Sequence, residues 1–303
     1  LIKLARKFGV QRPQADGSPR YEILTFTGSF HGRTMATMTA TAQEKIHGGF
    51  GPLVPGFRYL PFNDVAALEA AISANTVAIL LEPVQGESGV NPVSPGFLRA
   101  AAKLRDKHDL LLLLDEVQCG LGRTGDMGGW RSIVPGDEVL PDAVSWAKSI
   151  GSGYALGSFW VRQRAMSKDE GATMLCDLLG AGSHGTTYGG NLLACRAALT
   201  FLDVVEGMTG AMAASSTRLF ERLNSLAATR PGVVTDVRGA GLIAGIEITV
   251  DALAVVNAAL ERGLVVNRTS GTVLRLLPPY IVTPGEVDEA VDILDDAIGA
   301  VCR

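Results

Sequence analysis

Cysteine and histidine are scarce in this sequence, and neither forms a cluster. The four cysteines, Cys119, Cys176, Cys195 and Cys302, include no C-x-x-C pair, and the four histidines are isolated from one another. A zinc site, any other metal site and a disulfide framework are therefore not expected. Scattered single cysteines favour a reducing compartment instead, and we predict a cytoplasmic protein.

Surplus charge and long apolar runs are also missing. The formal net charge of the 303 residues is −4, and 19% of them are charged. This balance provides no basic surface for nucleic acid or anionic lipid, so neither is expected as a partner. The sequence contains no apolar run of membrane length and no P-loop, G-x-S-x-G or H-E-x-x-H motif. A hydrophobic content of 47% with 36 glycines is typical of a compact α/β enzyme.

The apolar stretch before Asp115 predicts the central strand of a sheet. Its five leucines, residues 110–114, are too few to cross a membrane and too apolar for a surface, which is typical of a strand buried on both faces. A second apolar stretch, Ala143–Ala147, leads to Lys148. Because ligands bind at the carboxyl edge of open α/β sheets, we expect this acid and this amine to lie side by side there. Such a pair forms the core of a pyridoxal-phosphate site.

Strand and helix patterns alternate through the first two thirds of the chain. This alternation predicts a mostly parallel sheet flanked by helices, with right-handed crossovers. Residues 1–207 are expected to form a large cofactor-binding domain, and residues 208–303 a smaller α+β domain. Gly48–Phe62, which is rich in glycine and proline, is expected to be a long loop. Two separate helices are expected at Leu192–Glu206 and Ala211–Ala228.

Each candidate residue also has a simpler interpretation. Asp115 could cap a neighbouring loop, Lys148 could be a surface lysine, and Thr186 and Thr187 could belong to an ordinary turn. The functional interpretation of Lys148 depends on its apolar, glycine-rich neighbours, because a buried, unprotonated amine is a nucleophile. Gly120–Gly125 matches G-x-G-x-x-G, but the segment that follows does not have a helical pattern, so a dinucleotide site is not favoured.

Five blocks together carry a resemblance to a known family. In chain order they are SFHGRT, EPVQGESG, LLLDEVQCGLGRTG, AKSIGSG and HGTTYGGN. With these blocks the chain resembles the class III aminotransferases of the acetylornithine/ornithine type, which are fold-type I enzymes with pyridoxal 5′-phosphate as cofactor. The resemblance implies a mostly parallel central sheet, a smaller C-terminal domain, and a role in amino-acid biosynthesis, in particular that of arginine.

The resemblance also implies roles for the residues of a cofactor site. Lys148 would bind the cofactor covalently and move a proton during the reaction. Asp115 would bond the pyridine nitrogen, and Gln118 the phenolic oxygen. Phe30 would stack on one face of the ring, while Val117 would pack against the other.

Three further residues complete the implied cofactor site. His31 follows the stacking phenylalanine in the SFHGRT block and is assigned to the cofactor with it. Thr186 and Thr187 would reach the cofactor phosphate of the neighbouring subunit. The resemblance therefore implies a homodimer with shared active sites.

The substrates implied by the resemblance are an ω-amino acid and a 2-oxo acid. Arg275 would bind a substrate carboxylate, a task that suits guanidinium geometry. Glu87 would pair with this arginine when the substrate brings no carboxylate to it, and Arg33 would bind the other carboxylate of acetylornithine-like substrates. We therefore expect a ping-pong transfer from N-acetylornithine to 2-oxoglutarate. The alternatives are transfer from ornithine, diaminobutyrate or 4-aminobutyrate, a semialdehyde aminomutase, or a catalytically silent protein of the same fold.

The N-terminus differs from the family pattern. The chain begins LIKLARKFGV, without an initiator methionine, and residues 1–8 have the pattern of the last turns of an amphipathic helix. In the family, a glycine-rich loop that contacts the cofactor phosphate lies just before this point. We therefore expect that an N-terminal segment is missing and that the phosphate site is incomplete without it.

Overall fold

The computed structural model describes residues 1–166 and 171–302. The described strands are β1 (Glu22–Phe26), β2 (Phe57–Leu60), β3 (Thr76–Leu81), β4 (Val84–Gln85), β5 (Asn91–Pro92), β6 (Leu111–Asp115), β7 (Ala143–Trp146), β8 (Ser158–Val161), β9 (Val234–Ala240), β10 (Ile243–Ile248), β11 (Asn267–Thr269) and β12 (Val273–Leu276). The described α-helices are α1 (Ile2–Gln11), α2 (Met35–Ala40), α3 (Glu44–His47), α4 (Val65–Ala71), α5 (Pro95–His108), α6 (Leu192–Thr229), α7 (Ala252–Glu261) and α8 (Pro284–Val301).

The chain forms two compact units, and each of them is assembled from separate segments. The first unit comprises Leu1–Pro83, Val93–Val117 and Ile133–Leu199, and the second comprises Val84–Pro92, Gln118–Ser132 and Thr200–Arg303. The domain boundary expected between residues 207 and 208 stays a prediction.

The first unit is built on a six-stranded sheet in the order β2-β1-β3-β6-β7-β8. Its neighbouring strands pair in parallel, except for the antiparallel pair of β7 and β8. The carboxyl ends of β1, β3, β6 and β7 therefore share one edge, where ligands bind in sheets of this kind. The mostly parallel α/β sheet predicted from the sequence is confirmed.

The leucine strand is buried as its composition predicts. All five residues of β6 and all six of β3 are buried, and Leu113 and Leu80 belong to a core that also contains Leu4 and Phe8 of α1. Burying one such side chain contributes about 1.5–3 kcal/mol. This apolar packing fixes the position of Asp115, the last residue of β6.

The second unit contains a four-stranded antiparallel sheet in the order β11-β12-β10-β9. Its core includes Ile246 of β10, Leu274 of β12 and Leu294 of α8. Strands β4 and β5 form a separate antiparallel pair, and the turn between them carries Gly86 and Glu87. Helix α8 begins with a capping box between Thr283 and Glu286, which satisfies backbone N–H groups at its start.

Two secondary-structure predictions were wrong. The long loop expected at Gly48–Phe62 contains the edge strand β2, which pairs with β1 in parallel. Hydrogen bonds to β1 stabilise this four-residue strand. Its local composition does not reveal that it has such a partner. The two helices expected at Leu192–Glu206 and Ala211–Ala228 are one continuous helix, α6. Gly207 and Gly210 cost only about 1 kcal/mol each relative to alanine, and the helix continues through them.

Membrane-spanning helices and metal-binding groups are both absent from the described residues. Within residues 1–166 and 171–302, no helix is long and apolar enough to cross a membrane. The same residues contain no group of three or more side chains arranged to hold a metal ion. The four cysteines are free thiols, and Cys119 is buried.

Candidate active site

The segment that follows β1 is fixed at the carboxyl edge of the first unit's sheet. The backbone N–H of Phe30 donates to Oε2 of the buried Glu82, which directly follows β3, at 2.9 Å. The backbone N–H of His31 donates to Oγ1 of Thr41 at 2.8 Å. These two hydrogen bonds hold the start of the SFHGRT block beside the ends of its neighbouring strands.

His31 and Asp115 form a buried polar pair at this edge. Nδ1 of His31 lies 2.9 Å from Oδ2 of Asp115, and the two side chains are 2% and 11% exposed. The other carboxylate oxygen of Asp115 accepts from the backbone N–H of Val117 at 3.2 Å. Nε2 of His31 is buried and has no hydrogen-bond partner among the described residues. The edge thus holds an oriented carboxylate next to an imidazole with one unused nitrogen.

A cavity of about 400 Å³ opens at this pair. Asp115, His31, Ser145 and Phe159 line it, together with Leu80 at the end of β3. Its volume is within the usual range for a small-molecule site, which is about 300–1,000 Å³. The cavity can therefore hold a cofactor-sized molecule against the carboxylate.

The charge of Asp115 acts on cations in this cavity. Leu80, Phe159 and Leu179 also line it, so a cation in the cavity has apolar neighbours beside the carboxylate. A positive charge placed here loses hydration but gains attraction to the carboxylate. A cation that also donates a hydrogen bond to Asp115 would be the best complement to this site.

Lys148 differs from the sequence-based expectation in one respect. It follows β7 at the same sheet edge, as expected, but its side chain is exposed and it does not line the cavity. The apolar residues around it in the sequence, Val144 and Ile150, are buried without burying the lysine. Its backbone φ is +53°, in the left-handed region that lysine seldom adopts. Residues in such a conformation cluster at functional sites.

Three of the expected site residues form a polar cluster in the second unit. Nη1 of Arg275 donates to Oε1 of Glu87 at 2.9 Å, and the amide nitrogen of Gln118 donates to the same oxygen at 2.9 Å. Nη1 of Arg275 also donates to the carbonyl oxygen of Gly86 at 2.8 Å. The side chain of Arg275 is only 9% exposed. Among the described residues, this buried guanidinium is thus held by one carboxylate and by neutral oxygens.

The remaining expected residues are at the surface of the first unit. The guanidinium of Arg33 stacks over the ring of Phe30, 5.4 Å from its centroid. Thr186 and Thr187 are exposed within the turn that precedes α6. Neither threonine lines the cavity beside Asp115.

Several residues around the cavity were not among those expected from the sequence. Lys3 and His184 line it, and Nζ of Lys3 lies 3.1 Å from Nδ1 of His184. His184 lies in the HGTTYGGN block, so its presence in that block was an available signal. Glu116 accepts from Nε1 of Trp146 at 3.2 Å and is buried, which links the ends of β6 and β7.

Comparison with known proteins identifies the family. Residues 1–298 match the model of the class-III aminotransferases. The acetylornithine aminotransferase of Caldanaerobacter subterraneus subsp. tengcongensis is 41% identical over 303 residues, which cover 99% of this chain and 72% of that protein. The acetylornithine aminotransferase of Methanocaldococcus jannaschii is 38% identical over 297 residues, with coverages of 97% and 70%. The chain thus spans about 70% of the length of these relatives.

Solved structures agree with this result. The ornithine aminotransferase of Toxoplasma gondii has a TM-score of 0.85 and 32% identity, over 99% of this chain and 69% of that one. The N-acetylornithine aminotransferase of Stenotrophomonas maltophilia has a TM-score of 0.77 and 32% identity, over 99% and 71%. The chain belongs to the class III aminotransferases, which are pyridoxal-phosphate-dependent enzymes of fold type I. The family, fold class and cofactor predicted from the sequence are confirmed.

Proposed function

We propose that this enzyme transfers the amino group of N-acetylornithine to 2-oxoglutarate by a ping-pong route. The ion pair between Arg275 and Glu87, with 2.9 Å between Nη1 and Oε1, carries the proposal. Relatives named acetylornithine aminotransferase, 36–41% identical to this chain, support the choice of donor.

The ion pair fits two substrates that differ next to the reacting carbon. The terminal amine of the donor has no carboxylate beside it, and Glu87 then neutralises the buried guanidinium of Arg275. The acceptor 2-oxoglutarate has a carboxylate beside its keto group. This carboxylate can replace Glu87 on Arg275, because a guanidinium binds a carboxylate through two parallel hydrogen bonds. One site can thus accept both substrates in turn.

The residues at the sheet edge of the first unit fit pyridoxal phosphate. Asp115 is a buried carboxylate in a cavity of about 400 Å³, and it is the partner that a protonated pyridine nitrogen requires. When bound, pyridoxal phosphate supplies an electron sink for the substrate carbanion. Asp115 would hold the ring nitrogen in its protonated form, and His31 would orient that carboxylate. The amine of Lys148 would bind the cofactor and move the proton, and Phe30 and Val117 would contact the ring.

A homodimer with shared active sites is part of the proposal. Thr186 and Thr187 are exposed here and would serve the phosphate of the partner's cofactor. The neighbouring apolar side chains of Tyr188, Leu192 and Leu193 are 80%, 85% and 67% exposed, which is typical of an interaction surface. The free thiols fit the proposed location in a reducing cytoplasm.

A donor screen tests the choice of substrate. The enzyme, loaded with pyridoxal phosphate, is assayed with 2-oxoglutarate and with acetylornithine, ornithine, diaminobutyrate or 4-aminobutyrate. We expect acetylornithine to give the highest kcat/KM. A higher kcat/KM for another donor would identify that donor as the preferred substrate. No turnover with any donor would favour a catalytically silent protein.

An arginine variant tests the carboxylate site. Arg275→Lys keeps the charge but loses the bidentate geometry, and the KM for 2-oxoglutarate should rise about 10- to 100-fold. Arg268→Lys, on the neighbouring strand β11, is the matched control and should leave this KM unchanged. Equal KM values for Arg275→Lys and Arg268→Lys would show that Arg275 does not bind the carboxylate of 2-oxoglutarate.

Mixed dimers test whether the sites are shared. One subunit carries Lys148→Ala, and the other carries Thr186→Val with Thr187→Val. If the threonines serve the partner's site, the mixed dimer contains one complete site, and activity returns to about half of the wild-type level. No recovery above the two parent variants would contradict shared sites.

A further inference from the structure

Asn267 and Arg275 lie directly opposite each other in the second unit. They are partners in the antiparallel register of β11 and β12, so their side chains are adjacent on one face of the sheet. Nε of Arg275 donates to Oδ1 of Asn267 at 3.3 Å. Asn267 is exposed, whereas Arg275 is buried. The asparagine therefore contacts the guanidinium from the solvent side of the strand pair.

The opposite end of the same guanidinium is held by the turn between β4 and β5. Nη1 donates to the carbonyl oxygen of Gly86 and to Glu87, and it lies 3.3 Å from Oε1 of Gln118. Arg275 is thus fixed at Nε by one strand and at Nη1 by another segment. When Glu87 leaves, the contacts with Gly86, Gln118 and Asn267 remain to keep the plane of the guanidinium in place.

We infer that Asn267 is a positioning residue that holds Arg275 ready for the carboxylate of the acceptor and so sets acceptor affinity. This inference rests on the proposed role of Arg275. Nε engaged by Asn267 directs an incoming carboxylate to the terminal nitrogens of the guanidinium. Asn267 therefore selects one of the two bidentate approaches that an arginine offers.

The neutrality of Asn267 matters as much as its position. An amide oxygen accepts from the guanidinium without cancelling its charge, so Arg275 keeps its full attraction for a carboxylate after Glu87 has moved. An aspartate at position 267 would be a second internal acid that competes with the substrate. Asn267 thus provides a fixed, neutral contact to Arg275, whereas Glu87 provides a charged contact that the substrate can replace.

A second residue of β11 holds the glutamate side of the pair. Thr269 is two positions from Asn267, so both side chains lie on the same face of the strand. Oγ1 of Thr269 donates to the backbone carbonyl of Glu87 at 2.8 Å, and Thr269 is buried. This contact fixes the backbone of Glu87 and leaves its carboxylate able to rotate. Strand β11 therefore anchors both partners of the ion pair independently of their contact with each other.

Half-reaction kinetics of the full enzyme loaded with cofactor test the inference. Asn267→Ala and Asn267→Asp are compared with Arg268→Ala, a control whose side chain is on the other face of β11. For Asn267→Ala we expect the KM for the acceptor 2-oxoglutarate to rise about 5- to 20-fold, since one hydrogen bond to a charged group is lost. The kcat of that half-reaction and the KM for the amino donor should stay within twofold. Asn267→Asp should raise the KM for the acceptor further than Asn267→Ala does.

Binding of glutarate, a dicarboxylate that cannot react, gives a readout independent of turnover. Calorimetry should show the same rank order of affinities: wild type and Arg268→Ala tightest, Asn267→Ala weaker, Asn267→Asp weakest. If Asn267→Ala matches Arg268→Ala, or weakens donor and acceptor equally, the inference is wrong. If wild-type enzyme does not use 2-oxoglutarate, or Arg275→Lys binds glutarate as wild type does, the proposed function fails instead.

Discussion

Nδ1 of His31 lies 2.9 Å from Oδ2 of Asp115, and both side chains are almost completely buried. A carboxylate can only accept a hydrogen bond, so Nδ1 must carry the proton. In a neutral ring Nε2 is then an acceptor, and this buried atom has no partner among the described residues. The histidine thus keeps one nitrogen for Asp115 and presents the other to its buried surroundings.

The first prediction concerns this contact. His31→Ala removes a hydrogen bond to a charged group, worth about 1.5–3 kcal/mol, and should lower kcat/KM about 10- to 100-fold. His31→Asn should recover most of the activity, because its amide nitrogen can take the position of Nδ1. Steady-state kinetics and the dissociation constant of pyridoxal phosphate provide the measurements. Equal activities of the two variants would show that the hydrogen bond does not position Asp115.

The second prediction concerns the backbone of Lys148. Lys148→Ala and Lys148→Gly should both abolish turnover, and borohydride reduction should label Lys148 in the wild type. Because φ is +53°, glycine should relieve about 1–2 kcal/mol of strain and give a Tm about 2–4 °C above that of Lys148→Ala. Lys103→Gly in the interior of α5 is the contrasting control, where glycine should lower Tm. Substantial turnover by either Lys148 variant would contradict the assigned role.

Local sequence signals predicted the elements whose stability is local. The leucines of β6 specify a buried strand through composition alone, and Asp64, directly before α4, caps that helix by accepting from the N–H of Ala67. Strand β2 depends on pairing with β1, and that partner cannot be deduced from its four residues. The continuity of α6 depends on buried contacts of Val205 and Met212 on either side of Gly207.

For the candidate site, the sequence indicated individual residues but not the contacts between them. The blocks pointed to Asp115 and Lys148, and the family resemblance pointed to Arg275; each of the three lies on a strand or follows one closely. The exposure of Lys148 was not predictable, since burial depends on residues distant in the sequence. The contact between Asn267 and Arg275 arises from the register of β11 and β12, which no short-range pattern fixes.

The third prediction concerns acid stability. Two hydrogen bonds from Arg218, at 2.7 and 3.0 Å, join α6 to Asp288 of α8. The hydrogen bond from Arg218 lowers the pKa of Asp288 below its ordinary value, so the ionised acid stabilises the fold. This contribution is complete above the unfolded pKa, about 3.9, and is lost as the pH falls through the lower folded pKa.

Replacing Asp288 tests whether its ionised carboxylate stabilises the fold. Asp288→Asn should lower Tm by about 1–2 °C at pH 7, and the difference from wild type should shrink as the pH falls below about 4. Because the pair is at the surface, 1 M salt should also reduce the difference. Asp203→Asn, an exposed position on α6, serves as control and should show neither effect. A difference that persists at low pH would assign the loss to packing instead of charge.

The fourth prediction concerns Gly86, which has little room for a side chain. A Cβ atom at this position would overlap the side-chain amide of Gln118, and that amide donates to Glu87 at 2.9 Å. The φ of Gly86 is not in the left-handed region, so alanine can adopt the backbone conformation. Gly86→Ala should therefore displace Gln118 while leaving the fold intact.

The expected result of Gly86→Ala is a loss of activity without a comparable loss of stability. The family resemblance implies that Gln118 bonds the phenolic oxygen of the cofactor. If it does, the absorption spectrum of the bound cofactor should shift, and kcat/KM should fall about tenfold or more. Gly96→Ala is the matched control: no atom lies within 4 Å of its Cβ position in α5, so activity should be unchanged and Tm equal or higher. An unchanged spectrum with normal kinetics in Gly86→Ala would contradict this implied role of Gln118.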